Sequence, residues 1–241
     1  DDRMFEALIE AGTRLKTDKG VRAVVLSGEG KAFCAGLDMG NFQRTAEEGR
    51  ETRGEDRLIA RTNGLANRPQ YAAWVWREVP VPVIAAVHGV AFGGGFQVML
   101  GADMRYAAPD TKLSVMEIKW GLVPDMAGTV LMRHLMRDDV IRELTYTGRI
   151  FTAEEGVGLG VVTRITNDPR GEALATAREI AGKNPEAIRA AKRLLNAAPL
   201  APVGEALMAE SREQTAIAGK PNQVEAVMAQ LQKRPPKFKD H

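Results

Sequence analysis

Apolar residues in the first stretch, MFEALIEAGTRL, recur at helical spacing: Met4, Phe5, Leu8, Ile9 and Leu15 share one side, which predicts an amphipathic helix over residues 3 to 16. The pattern then changes. VRAVVLS at 21 to 27 and VPVIAAVHG at 81 to 89 are continuous, β-branched apolar runs of the kind that form strands buried on both faces. Between them, NFQRTAEEGRETRG at 41 to 54 is polar and aperiodic and predicts a surface loop. Apolar spacing resumes over 56 to 78 through Leu58, Ile59, Leu65, Trp74 and Val75, a helical pattern that Pro69 should break or bend.

GGGFQVMLGAD predicts a helix that begins inside a glycine cluster, so its first amide groups are free to donate. Residues 103 to 107 and 111 to 115 predict short strands joined by a turn at Pro109 and Asp110. A helix is expected from about 126 to 136, and DDVIRELTYTG frames another between aspartate caps and Gly148. TAEEGVGLG and VVTRI add a short helix and a strand, and from 169 onward the pattern is helical, with breaks near Asn184 and Pro185, Pro199 to Pro202, and Lys220 and Pro221. The reading divides the chain into an α/β core over 1–167 and a helical C-terminal region over 168–241, with no internal sequence repeat.

Composition narrows the function classes. With 241 residues, 44% of them hydrophobic and 27% charged, the chain has the make-up of a soluble globular protein. A formal net charge of +2 with interspersed signs argues against a nucleic-acid partner, which calls for clustered Lys and Arg. The single cysteine, Cys34, allows no intramolecular disulfide and points to a reducing compartment. No apolar run approaches a membrane span and the first residues are too acidic for a signal peptide, so a cytoplasmic location without membrane attachment is expected. Three histidines and one cysteine, with no HExxH or CxxC spacing, predict no metal site.

Two glycine-rich bends carry the candidate chemistry: AFCAGLD at 32 to 38 and HGVAFGGGFQ at 88 to 97, each following a predicted strand. Neither contains a dinucleotide or P-loop signature. A glycine bend lets a backbone N–H point outward where a side chain would otherwise intrude, and two such groups converging on one point form an oxyanion hole. Leu37 from the first bend and Gly94 from the first helical turn after the second are the candidate donors. The alternative is that both bends are simply tight turns. Cys34 suits a small packing role better than a nucleophilic one, because no histidine partner is evident, and His88 at a strand end suits a structural hydrogen bond.

AFCAGLDM, VPVIAAVHGVAFGGG and MEIKWGLVPDMAGT, at these mutual distances, resemble the crotonase superfamily, which includes enoyl-CoA hydratases and isomerases. The resemblance extends to the PPKF ending. It implies a spiral of repeated ββα units, a C-terminal helical trimerisation region, assembly as a homotrimer or homohexamer, and an acyl-CoA thioester substrate whose enolate is held by the N–H groups of Leu37 and Gly94. Coenzyme A then belongs to the substrate, and no separate cofactor is expected. The resemblance also places Ala35, Gly36, Asp38, Gly93 and Gln97 in the substrate site and brings Lys237, with Lys239, to the CoA phosphates, although a solvated tail is the simpler reading of both lysines. Unlike most members, the sequence opens at a helix, without the preceding strand pair and Arg-Pro loop that touch CoA.

Hydratases of the superfamily use two glutamates, and the matching positions here hold Gln97 and Glu117. A glutamine amide can hydrogen-bond a water but cannot take its proton, so hydration should be impaired. Asp125 follows Glu117 by eight residues across the GLVP bend, which can return it to the same cleft. Dienoyl-CoA isomerases carry a carboxylate at that offset, though they also have an acid where Gln97 stands; 4-chlorobenzoyl-CoA dehalogenase has a nucleophilic aspartate there but no acid matching Glu117. Asp125 also suits the N-cap of a helix starting at Met126. The order of expectation is double-bond isomerisation of an unsaturated acyl-CoA through Glu117 and Asp125, then hydration, then dehalogenation or thioester hydrolysis. A non-catalytic acyl-CoA-binding member, favoured by Gln97 alone, is the reading from a different class.

Overall fold

The computed structural model describes residues 2–36 and 58–240. Helix α1 (Asp2–Thr17) lies against α2 (Arg68–Glu78), and the contact is close at Gly12, where an added β-carbon would fall 2.5 Å from the Val75 side chain. Residues 58 to 67 are turns and bridges, so the helix expected over 56 to 78 is shorter than its apolar spacing suggests. Pro69 starts this helix; it does not break it. Pro lacks the N–H that the first turn leaves unpaired anyway, and a capping box fixes the start: the Asn67 side chain accepts from Gln70 N–H at 2.9 Å while the Gln70 side chain accepts from Asn67 N–H at 3.0 Å.

The strands build two sheets in step. β1 (Val24–Ser27), β2 (Val83–Val87), β4 (Met104–Ala107) and β7 (Arg164–Ile165) form a parallel sheet in the order β1-β2-β4-β7. β3 (Val90–Phe92), β5 (Lys112–Ser114) and β6 (Phe151–Thr152) form the second, in the order β3-β5-β6. β2 runs into β3 through His88 and Gly89, and β4 runs into β5 through the turn at Pro109 and Asp110, so each of these two passes of the chain adds one strand to each sheet. A helix then carries it onward, as α3 (Gly94–Leu100) does after β3. This is the expected spiral of ββα units. It repeats in geometry without repeating in sequence, because what recurs is a buried apolar run, a corner and a helix rather than particular residues. The segments 103–107 and 111–115 are thus neighbours in sequence but members of different sheets.

The remaining α-helices among the described residues are α4 (Gly128–Met132), α5 (Asp138–Thr147), α6 (Ala153–Gly158), α7 (Pro169–Ala181), α8 (Pro185–Ala197), α9 (Val203–Ile217) and α10 (Pro221–Leu231). α4 is shorter than the stretch expected from 126 to 136, and Arg137 rather than an aspartate stands at the N-cap position of α5, without a side-chain cap, while Asp138 and Asp139 lie in the first turn, where their charge suits the helix dipole. The core between the sheets and helices holds Trp76, Val83, Ala85, Val87, Phe96, Met99, Leu113 and Leu144, all essentially buried. The other face of the parallel sheet, at Ile84, Ala86 and Tyr106, is covered by Ala173, Ala177 and Ile180 of α7.

α8 is fastened by one buried charge. Lys192 donates to the carbonyls of Trp76 at 3.1 Å and Val81 at 2.9 Å and to Asp103 at 2.8 Å, so an ammonium that burial would otherwise penalise is fully partnered. Leu195, Val203, Leu207 and Leu231, by contrast, lie exposed on α8, α9 and α10. Among the described residues, no helix is long and apolar enough to cross a membrane.

Candidate active site

The two glycine bends meet at the N-terminus of α3. Cys34 forms a parallel bridge with Ala91, its N–H donating to Val90 O at 3.1 Å while Phe92 N–H donates to Cys34 O at 3.1 Å, so the first bend runs alongside β3. Gly93 then turns the chain with φ 51° and ψ −117°, a conformation open to glycine, and its N–H is spent on Ser114 O at 3.0 Å. Gly94 follows as the first residue of α3, and its N–H has no partner within its own helix. Gly36, at φ 95°, stands over this point: a β-carbon there would lie 2.9 Å from Phe92 O and 4.0 Å from Gly94 N. Ala35 beside it is exposed. Leu37 and Asp38, the other residues expected in this bend, lie outside the described residues.

The acid faces the bends from a different part of the chain. Glu117 opens a 3₁₀ turn, Glu117–Trp120, bracketed by left-handed residues Met116 (φ 62°) and Gly121 (φ 69°). Left-handed backbone at a non-glycine residue is strained and persists only where its surroundings hold it. Glu117 is 8% exposed; its Oε1 accepts from Gln97 Nε2 at 2.6 Å, and its buried Oε2 has no partner among the described residues. A β-carbon on Gly93 would come within 3.3 Å of Glu117 Oε1, which places the carboxyl directly beside the bend.

Gln97 ties these parts together. It projects from α3 with no exposed surface, and its Oε1 accepts from the N–H groups of Met126 and Gly128, both at 2.9 Å. A side chain at 128 would collide with it, since a β-carbon there would fall 2.5 Å from Gln97 Oε1. Met126 in turn is buried against Gly94, with its sulfur 2.9 Å from where a β-carbon would sit. The chain from 117 to 128 is therefore folded back onto α3, and the GLVP bend returns Asp125 to the neighbourhood of Glu117.

Electrostatics follow from that enclosure. Burial pushes the Glu117 carboxyl up to about 7, helped by the charge of Asp125 and opposed by its own backbone N–H and by Gln97. Asp125, on the exposed side of the cleft, is also raised by desolvation. Because the folded protein holds the Glu117 proton more tightly than the unfolded chain, stability is greatest below the unfolded value of 4.5 and falls as pH rises to about 7. The expected loss is about 3 kcal/mol from this group alone. Glu117→Gln should flatten that part of the profile, as denaturant titrations at pH 5 and pH 8 will test; an unchanged slope contradicts the buried, proton-holding carboxyl.

The expected residues divide clearly. Gly36, Gly93, Gly94, Gln97, Glu117 and Asp125 are brought together, but Gln97 is not placed to bind substrate or water: it has no exposed surface, and both lone-pair sites of its oxygen are taken by backbone donors. Asp125 does not cap a helix, because α4 starts two residues later than expected, behind Ala127 at φ 64°, with no side-chain cap. Lys237 lies exposed on the terminal segment, where its N–H donates to Glu225 at 2.7 Å. Cys34 packs against α3, since a β-carbon on Gly95 would lie 2.8 Å from its sulfur, and His88 Nε2 meets Gly30 O at 3.0 Å. Met126 and Gly128 join the site through their backbone N–H groups, and the MAGT segment that carries them specifies no partner on α3 by its residue types.

A family model described as enoyl-CoA hydratase/isomerase matches residues 1–241. The chain is 34% identical over 195 residues to the mitochondrial Delta(3,5)-Delta(2,4)-dienoyl-CoA isomerase of Homo sapiens, a match covering 78% of this chain and 58% of that protein's length. It is 30% identical over 240 residues to a Bacillus subtilis protein named "Probable enoyl-CoA hydratase", covering 98% and 89% of the two chains. Among solved structures, an enoyl-CoA hydratase from Polaromonas sp. JS666 superimposes with a TM-score of 0.85 at 27% identity, covering 98% of this chain and 89% of that one.

Proposed function

Because the chain belongs to the enoyl-CoA hydratase/isomerase family, we propose that it moves a double bond along an unsaturated acyl-CoA thioester by relocating a proton through Glu117. One observation carries the choice: the site holds a buried carboxyl poised near neutral pH with an oxygen that has no partner among the described residues, while the position of a second acid is an amide with no exposed surface. A group with a pKa near the working pH can take a proton and return it. Glu117 removes a proton from the carbon next to the thioester; the electron pair enters the carbonyl, and the enolate oxygen is stabilised by the N–H of Gly94 and, in this reading, of Leu37. The same proton is then delivered further along the conjugated chain, which restores the carbonyl and leaves the bond shifted. Coenzyme A enters only as part of the substrate.

Asp125 assists where the two carbons are too far apart for one carboxyl. Asp125→Asn should therefore leave isomerisation of 3-enoyl-CoA nearly intact and slow that of 3,5-dienoyl-CoA by about 10² or more, the scale of a general acid or base. Equal fractional losses on both substrates contradict the assisting role. If instead Asp125→Asn abolishes turnover of every substrate while Glu117→Gln keeps it, the principal group is Asp125 and the reading becomes a nucleophilic one. Hydration is the second reading, favoured by the hydratase relative that matches 98% of the chain. Assembly as a homotrimer or homohexamer belongs to the same proposal, supported by the exposed apolar residues Leu195, Val203, Leu207 and Leu231; a sedimentation mass of one chain contradicts it.

A further inference from the structure

We propose that Gln97 is a positioning residue that assigns the transferable proton of Glu117 to Oε2. The inference rests on Glu117 being the proton-transfer group. An amide can be turned either way in principle, but here the choice is forced: the atom facing the N–H groups of Met126 and Gly128 must be an acceptor, so the Gln97 oxygen faces them and its NH₂ faces Glu117. Glu117 Oε1 is then an acceptor from Gln97 Nε2 at 2.6 Å and cannot also present a proton along that line. Oε2, buried and without a partner among the described residues, is left as the atom that binds and releases it. Gly93 and Gly128 make the arrangement possible, because a β-carbon at either would press on the carboxyl or on the amide.

The arrangement also sets how strongly the proton is held. Donation from Gln97 stabilises the ionised carboxylate and so opposes burial; among the described residues, the one charged side chain acting on Glu117 is Asp125, which pushes the same way as burial. Removing the donor therefore has a defined sign. In Gln97→Met the donation is lost and Glu117 is held protonated to higher pH. In Gln97→Glu one carboxyl oxygen still accepts from Met126 and Gly128, but the other meets Glu117 Oε1, and two carboxylates at hydrogen-bond distance share one proton.

The experiment follows the Glu117 carboxyl itself, without substrate, as the infrared carboxyl band lost in Glu117→Gln, titrated in the natural protein, Gln97→Met and Gln97→Glu. Gln97→Met should move the midpoint upward by about one pH unit or more, a tenfold tighter proton, and in Gln97→Glu, where the pair titrates in two steps, the midpoint of the upper step should rise by at least as much. The rising limb of kcat/KM for isomerisation should move with it. A residue that merely holds the 126–128 segment would lower the melting temperature of Gln97→Met and leave the midpoint in place. A folded Gln97→Glu protein with an unshifted midpoint overturns the proposal, whether or not Gln97→Met folds. Because the band is read without turnover, a shifted midpoint in a protein that turns out to hydrate rather than isomerise supports the role of Gln97 and rejects only the reaction assigned above.

Discussion

Glu117→Gln is expected to fold normally and to lose roughly 10² to 10⁴ in turnover, the range of a general acid or base. Folding is spared because the substituted amide can offer its oxygen to Gln97 Nε2 where the carboxylate Oε1 now accepts at 2.6 Å. What is lost is the ability of the second atom to take a proton. The loss should fall on kcat rather than KM, since the interaction removed is the proton transfer made in the transition state. Across pH the natural protein should gain activity toward and through about 7 as the carboxyl ionises, and the variant's residual rate should lack that rise. A variant retaining full activity on every enoyl-CoA substrate removes Glu117 from the reaction.

Gly94→Pro is expected to reduce turnover by about 10² to 10³, the cost of removing one donor from an oxyanion hole. Proline is the informative substitution because it suits the first turn of a helix and deletes the N–H, at the cost of a β-carbon and ring that glycine lacks. The control is Gly94→Ala, which keeps the N–H but places a β-carbon at the same point near the Met126 sulfur, 2.9 Å away. That atom ends a flexible side chain, so alanine should cost less than tenfold in rate, the smaller effect expected where the neighbour can give way. Equal losses in both variants would make crowding at Met126 the cause; a large loss in proline alone identifies the N–H.

The chain's pattern disclosed some of this plainly and could not disclose the rest. Buried strands were legible at 83–87 because continuous β-branched runs have few other uses, and α1, α3 and α5 were legible from spacing and from glycine. The start of α2 is not legible from Pro69 alone, since proline both breaks and opens helices; the reciprocal hydrogen bonds of Asn67 and Gln70 decide for a start. That β4 and β5 enter different sheets is decided by a corner rather than by either strand's composition. At the site, residue types announced the two bends and the acid, and the family resemblance supplied their relation. The task of Gln97 was not legible: its chemistry suggested a water ligand, and only the approach of the Met126 and Gly128 amides, folded back from a distant segment, turns it inward.

The central claim is that the protein relocates a proton rather than adding water, and the direct measurement is product identity from 3-enoyl-CoA and 2-enoyl-CoA supplied separately to the natural protein. The two outcomes are separable, because bond migration leaves the mass unchanged and alters the ultraviolet spectrum, whereas hydration adds one water and removes the conjugated absorbance. The account predicts conversion of 3-enoyl-CoA to its conjugated isomer, with water addition to 2-enoyl-CoA slower by about 10² or more, as expected when the second acid–base group is missing. Rapid appearance of 3-hydroxyacyl-CoA from 2-enoyl-CoA, with 3-enoyl-CoA left unchanged, would contradict it.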